Sequence, residues 1–292
     1  MAASLGTWIM AARPRTLPAA ASPVIMGAAL AYDDGGFHLF SALAALIGAL
    51  LIQIGTNFAN DYFDHIKGVD TEHRTGPTRA TQAGLVSPRQ MIVAASIVFG
   101  LAIVVGTYLV MRGGWPIVVI GLAGIACGYL YTGGPAPIGY IGLGDLFVLV
   151  FFGPVAVGGT YYVQTNVVTK EALIVGIAAG LMSTAILTVN NLRDADTDSA
   201  VGKKTLAVRF GKRFARWEYL ICVVVAGLIP SAMTLNNSDH RLVLLTLAVF
   251  PFLLKPTRKV FAQKSSELNT TLADTGKALF LFSLLFALGW IL

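Results

Sequence analysis

Charge is scarce in this chain. Lys, Arg, Asp and Glu make up 12% of its 292 residues, while hydrophobic residues make up 55%. Soluble domains carry roughly 25% charged residues, so a water-soluble globule is excluded: it could not cover this much apolar surface. Cysteine is scarcer still. Cys127 and Cys222 both fall inside apolar runs, which excludes a disulfide framework and a thiolate metal site and leaves two buried, inert thiols. No cleavable signal peptide is expected, because "MAASLGTWIMAARPRTLP" sets its arginines after the short apolar stretch, the reverse of the secretory order. The net charge of +6 is expected in loops beside an anionic membrane face and does not point to nucleic acid.

What is abundant is long apolar runs. Nine are legible, near 16–32, 39–59, 90–111, 115–131, 145–165, 171–189, 215–236, 241–254 and 275–292. They predict an all-α, polytopic membrane protein forming a single transmembrane domain over 1–292. The eighth run is short and carries Pro251, which predicts a kink, a tilt or help from flanking residues. Many of the 31 glycines lie inside these runs and suit close helix packing. With nine spans and the N-terminus in the cytoplasm, the outside loops hold only Arg112, Lys170 and Arg241, and the other 18 of 21 basic residues face the cytoplasm.

The few acids are clustered. Seven of the 15 fall in two windows: Asp61, Asp64, Asp70 and Glu72, then Asp194, Asp196 and Asp198. The windows "NDYFDHIKGVD" and "NNLRDADTD" both place Asp four residues after Asn, with an offset of 130 residues that suggests a duplicated helical unit. Continued as helix, Asn57, Asn60, Asp61 and Asp64 share one face, as do Asn190, Asp194 and Asp198. Acids at a membrane are costly and face polar cavities. Gathered together, they repel unless a cation stands between them. Carboxylates and amides suit a hard ion such as Mg2+, which binds through a few carboxylates plus substrate phosphates. Asp70 breaks the spacing, but Gly68 can end the helix and let the chain return. The plainer reading is helix caps and solvated ends; the pairing of the pattern argues against it. Lys67, Arg74, Arg79, Arg193, Lys203, Lys204 and Arg209 accompany the acids and suit a diphosphate, or individually a membrane-surface anchor.

These stretches, together with "YTGGPAPIGYIGLGD" and "ARPRTLPAAASPVIMG", resemble the UbiA-type intramembrane prenyltransferases over most of the chain. Within them, the Asn-x3-Asp-x5-Asp spacing of Asn60, Asp64 and Asp70 is similar to the branch that prenylates 1,4-dihydroxy-2-naphthoate in menaquinone biosynthesis. The resemblance implies nine helices around a central cavity and the two Asp motifs facing each other. It implies Mg2+-dependent transfer of a polyprenyl group from polyprenyl diphosphate to the naphthoate, with loss of CO2, at a bacterial inner membrane. Asn60, Asp64, Asp70, Asp194 and Asp198 are the implied catalytic residues, with Asp61, Asp64, Asp70, Asp194 and Asp198 on the metal. Asn57, Lys67, Arg74, Arg79, Asn190, Lys203, Lys204 and Arg209 would contact substrate. Tyr131 and Tyr129 would shield the allylic cation or sit as interfacial anchors. The loop after "TGG" lacks the basic residue of many relatives and is left out of the charged site. Arg13 and Arg15 either meet a substrate carboxylate or snorkel, with snorkelling favoured. Asp145 either caps the fifth helix or orients a cavity residue. The competing readings are another aromatic acceptor (hydroxybenzoate, homogentisate, haem or a chlorin) on the same fold, or a cation-coupled transporter. The motif of membrane phosphatidyltransferases is not found.

Overall fold

Lipid offers the backbone no hydrogen-bond partners, so every apolar run must satisfy its own amides, and helices do so. The computed structural model describes residues 3–69, 76–236, 238–262 and 267–292, and the described residues form helices with no strand. A short α1 (Leu5–Ala12), begun by the Ser4 hydroxyl accepting from the Thr7 amide, precedes a tight turn at Pro14–Thr16. Then follow α2 (Leu17–Asp33), α3 (Leu39–Ile66), α4 (Pro88–Gly113) and α5 (Trp115–Leu130). The fifth apolar run is broken. It is built from α6 (Gly144–Val150), a π-helical step at Phe151–Val155, and α7 (Ala156–Thr165), with Gly153 and Pro154 at the break. Then come α8 (Lys170–Ala200) and α9 (Leu206–Asn236). The short eighth run is supplemented as expected: a 3-10 segment over Ser238–Val249 leads into α10 (Phe250–Ala262), before α11 (Leu268–Ile291). Seven of these segments are long and apolar enough to cross a membrane, and α5 is a shorter apolar helix.

Among the long helices α8 is the most deeply buried. It packs on α9, α11, α6 and the π step, while α3 packs on α4. Two apolar clusters result: a large one on α2, α8, α9 and α11, and a smaller one joining α1, α3 and α4. The broken helix crosses α8 almost backbone to backbone. A Cβ at Gly176 would stand 2.6 Å from the Pro154 Cα, and one at Gly180 would collide with the Leu149 carbonyl. The glycines of α8 thus let a bent helix lie against it. Between α2, α3, α4, α5, the α6–α7 segment and α8 runs one cavity of about 820 Å³.

Candidate active site

The cavity has two kinds of wall. Along α3 its lining runs from Ala45 to Asp64, roughly 28 Å at 1.5 Å per residue. The upper course is apolar, faced by α4 and α5 residues including Gly106, Val110 and Gly121; the lower end is polar, faced by Asn60, Asp64, Arg79, Asp194, Asp198 and Lys203.

The polar end is made by two helix termini of the same construction. In α3, Gly68 has φ 66°, its amide bonds the His65 carbonyl, and the Val69 amide bonds the Asp64 carbonyl. In α8, Gly202 has φ 77°, its amide bonds the Ser199 carbonyl, and the Lys203 amide bonds the Asp198 carbonyl. Both are Schellman endings, which demand a left-handed residue that glycine supplies without strain. In each, the third residue from the helix end is an aspartate. The helix endings therefore pair Asp64 with Asp198, one turn on from the Asp64/Asp194 match that the 130-residue offset suggests.

Lys203, thrown out by the second ending, joins the two motifs. Its ammonium lies 3.4 Å from Asp64 Oδ1 and 3.7 Å from Asp198 Oδ1, so the two carboxylates stand no farther apart than one ammonium can reach. Asp64 is 2% exposed and also accepts from Arg79 Nη2 at 3.1 Å and from the Tyr140 hydroxyl at 2.6 Å. Asp194 accepts from Arg193 Nε at 2.8 Å, while the same guanidinium donates to Asn190 Oδ1 and, across to α11, to Asn269 Oδ1, both at 2.8 Å. Buried charges are tolerable when paired in this way. Asn60 Oδ1 accepts from Thr132 Oγ1 at 2.8 Å, and Asn57 Nδ2 donates to the Ala12 carbonyl at 2.9 Å and to Thr16 Oγ1 at 3.1 Å. These bonds tie α3 to the loop after α5 and to the α1–α2 bend.

Several expectations are corrected. Asp61 was expected on the metal. It is buried at 1% exposure away from the cavity, and its two carboxylate oxygens accept the backbone amides of Ala80 and Thr81 at 3.0 and 3.1 Å. It anchors the segment that presents Arg79. Lys67 is turned outward, donating to the Thr132 and Gly134 carbonyls at 2.7 and 3.1 Å. Burial lowers its ammonium below the usual lysine range, with Asp64 opposing and Lys203 adding to the shift. Arg209 is exposed and spends its guanidinium on the Lys204 and Ile141 carbonyls, and Lys204 is exposed outside the cavity lining. The side chains of Lys67 and Arg209 brace loops, whereas Lys204 contributes its backbone, whose amide donates to the Tyr140 carbonyl at 2.7 Å. Arg13, favoured as a snorkelling residue, instead lines the cavity, whereas Arg15 is exposed. Asp145 makes no side-chain cap; its Oδ1 accepts from Asn191 Nδ2 at 3.4 Å. Asp70 and Arg74 lie outside the described residues.

Tyr140 was missed. It belongs to the loop left out of the charged site, yet it bonds Asp64, and its ring lies 4.6 Å from the Lys203 ammonium and 5.1 Å from that of Lys67. Spacing alone makes Arg193 an accompanying cation: adjacent residues on a helix point apart, and only the length of its side chain brings it back to Asp194.

The oxygen donors fit Mg2+ in one particular way. Asp64, Asp194 and Asp198 line one cavity, but among the described residues no three acidic, His or Cys groups form a ready cage. That suits an ion held by one or two carboxylates and completed by water and substrate phosphates.

Comparison with known proteins agrees with the geometry. The UbiA prenyltransferase family model matches residues 20–291. The 1,4-dihydroxy-2-naphthoate octaprenyltransferase of Haemophilus influenzae is 37% identical, over 98% of this chain and 96% of its own length; that of Escherichia coli is 39% identical, over 97% and 94%. Among solved structures, a UbiA homolog from Archaeoglobus fulgidus bound to GPP and Mg2+ superposes with a TM-score of 0.64 at 15% identity, covering 98% of this chain and 99% of that one. Two Asp-bearing helix ends facing across a long, two-walled cavity, in a chain matched almost end to end, place this protein in the UbiA prenyltransferase family, as a membrane prenyltransferase.

Proposed function

We propose that the protein transfers a polyprenyl group from polyprenyl diphosphate to 1,4-dihydroxy-2-naphthoate, with loss of CO2, in the step that lipidates a menaquinone precursor. The observation that carries the reading is the joining of Asp64 and Asp198 through Lys203 at the polar end of an apolar cavity. Four relatives matched over nearly their full length, 36–39% identical, are named 1,4-dihydroxy-2-naphthoate octaprenyltransferases.

Asp64, Asp194 and Asp198, with Asn60 and Asn190, would hold Mg2+ at the cavity mouth, and Asp70 is assigned to the same set from its spacing. Held there, Mg2+ would supply Lewis-acid stabilisation of negative charge and so make diphosphate a better leaving group. The chain's own residues do the rest. Arg79 and Lys203 neutralise charge on the departing diphosphate as the allylic C–O bond breaks and its electron pair goes to oxygen. Tyr140 holds the Asp64 carboxylate, and Arg193 holds that of Asp194. The prenyl tail extends along the apolar course between α3, α4 and α5. The Tyr131 ring, which lines the cavity, shields the allylic cation through its π face. The electron-rich ring carbon bearing the carboxylate forms the new C–C bond, and the C–C bond to CO2 breaks to restore aromaticity. Lys67 and Arg209 support the loops that carry these groups. We place the polar end on the cytoplasmic side of a bacterial cell membrane, a reading that the bias of basic residues supports.

The test uses purified protein in detergent with Mg2+, a long allylic diphosphate and a panel of aromatic acceptors, scored by product mass. Prenylated naphthoate lacking one CO2 is expected, and none in excess chelator. Prenylation of hydroxybenzoate alone would overturn the acceptor; prenylation with the carboxyl retained would overturn the decarboxylation.

A further inference from the structure

Asn191 lines the cavity and is 7% exposed; Asp145 stands behind it, 5% exposed and outside the lining. The Asn191 amide is held by Asp145 Oδ1 accepting from Nδ2 at 3.4 Å. With Asp145 Oδ1 as the acceptor, the amide turns its NH2 toward Asp145 and leaves its carbonyl for the cavity. Among the described residues nothing donates to Asn191 Oδ1, and it is not among the fully enclosed polar atoms without a partner. Nor does any Lys or Arg pair with Asp145 among the described residues. The pair is therefore not part of the cation-rich network at Asp64 and Asp194. It presents an oriented acceptor to the cavity.

Position and chemistry select the ligand. Asn191 lies three residues before Asp194 on α8, about 4.5 Å deeper, near the flat apolar walls of Phe147 and Leu187 and the Tyr131 ring. Three chemical parts meet in this cavity under the function proposed above. The isoprenoid has no hydrogen-bonding groups. The diphosphate carries acceptors only, and a carbonyl repels it. Only the aromatic acceptor brings a donor, its ring hydroxyl.

We propose that Asn191 recognises a ring hydroxyl of the aromatic acceptor, and that Asp145 is the positioning residue that keeps its carbonyl turned into the cavity. This rests on the reading of the acceptor as a hydroxylated aromatic. The bond also favours the electron-rich ring: as the hydroxyl gives up density to the attacking carbon its proton becomes more acidic, and the hydrogen bond to the carbonyl strengthens.

The experiment measures KM for acceptor, for prenyl diphosphate and for Mg2+ in wild type, Asn191→Leu, Asp145→Asn and Asp145→Glu, with acceptor binding to the detergent-solubilised protein followed separately by tryptophan fluorescence. The acceptors are 1,4-dihydroxy-2-naphthoate and its two mono-hydroxy analogues. Asn191→Leu is expected to raise acceptor KM about tenfold, as loss of one hydrogen bond does, with the KM for prenyl diphosphate unchanged. The penalty is expected to vanish for the one analogue that lacks the contacted hydroxyl. Asp145→Asn, whose NH2 can donate to Asn191 and draw its carbonyl away, should reproduce the defect in acceptor KM, and Asp145→Glu should restore much of the wild-type value. An equal loss with all three acceptors, in turnover and in binding, would overturn the proposal. So would a raised Mg2+ requirement with acceptor KM unchanged, which would put the carbonyl on the metal's water shell. Failure of the wild type to alkylate any hydroxylated aromatic would instead sink the proposed function itself, before any variant is compared.

Discussion

At the scale of the residue, two aspartates three positions apart in the first motif do opposite work. Asp64 faces the cavity with cations around it; Asp61 is sealed against backbone amides. Asp64→Asn and Asp194→Asn are each expected to lower turnover about 10²–10³-fold, the scale of losing one preorganised charge-stabilising group, in protein that still inserts and purifies. Wild-type rates at normal expression would remove them from the site. Asp61→Asn replaces one acceptor oxygen by an NH2 that confronts a backbone N–H, a mismatch of about 1–3 kcal/mol. Its melting temperature in detergent should fall while the Mg2+ concentration for half-maximal rate in the folded fraction stays put; a changed Mg2+ requirement would return Asp61 to the metal. Tyr140→Phe removes one bond to the Asp64 carboxylate and should slow turnover about tenfold without altering the melt.

At the scale of the element, long apolar runs are a strong signal because lipid permits little besides helix, and every expected run is helical, though the fifth is split by a π-helical step and the eighth is largely 3-10. The Asn/Asp spacing likewise identified which helix ends carry charge. Two kinds of information were not legible. One is direction: a period of three or four residues puts Asp61 and Asp64 on one broad face, but which acid meets the cavity and which meets the Ala80 amide depends on where a distant segment docks. The other is the contribution of loops. Tyr140 reaches Asp64 from 76 residues away in sequence, and no local pattern marks it. The break at Gly153-Pro154 was in plain sight as residues, yet its fit against α8 depends on Gly176 and Gly180. Gly180→Ala should lower stability by about 1–3 kcal/mol, as overpacking does. Gly100→Ala in α4, where a Cβ meets nothing within 4 Å, should be neutral or stabilise by about 0.5–1 kcal/mol. Thermal unfolding in one detergent would compare them directly, and equal effects would show that the α8 crossing is not tight.

At the scale of the whole molecule, the cavity sets what can be transferred. Gly106 and Gly121 face its apolar course, and a Cβ at either would meet nothing within 4 Å, so a larger side chain there starts into the cavity. Gly121→Phe should therefore fold normally and block long allylic diphosphates while still accepting short ones, read as the ratio of turnover with the two lengths. Equal loss for both would mean that the tail runs elsewhere. Met111 and Leu122, on α4 and α5, line the same course and are 85% and 59% exposed, which offers a flank for lateral entry. A substrate that enters through that flank arrives from two dimensions rather than three. Its effective concentration is a mole fraction in the bilayer, so adding inert lipid or detergent at constant total polyprenyl diphosphate should slow the enzyme by dilution within the surface, whereas the same volume of buffer should leave the rate untouched.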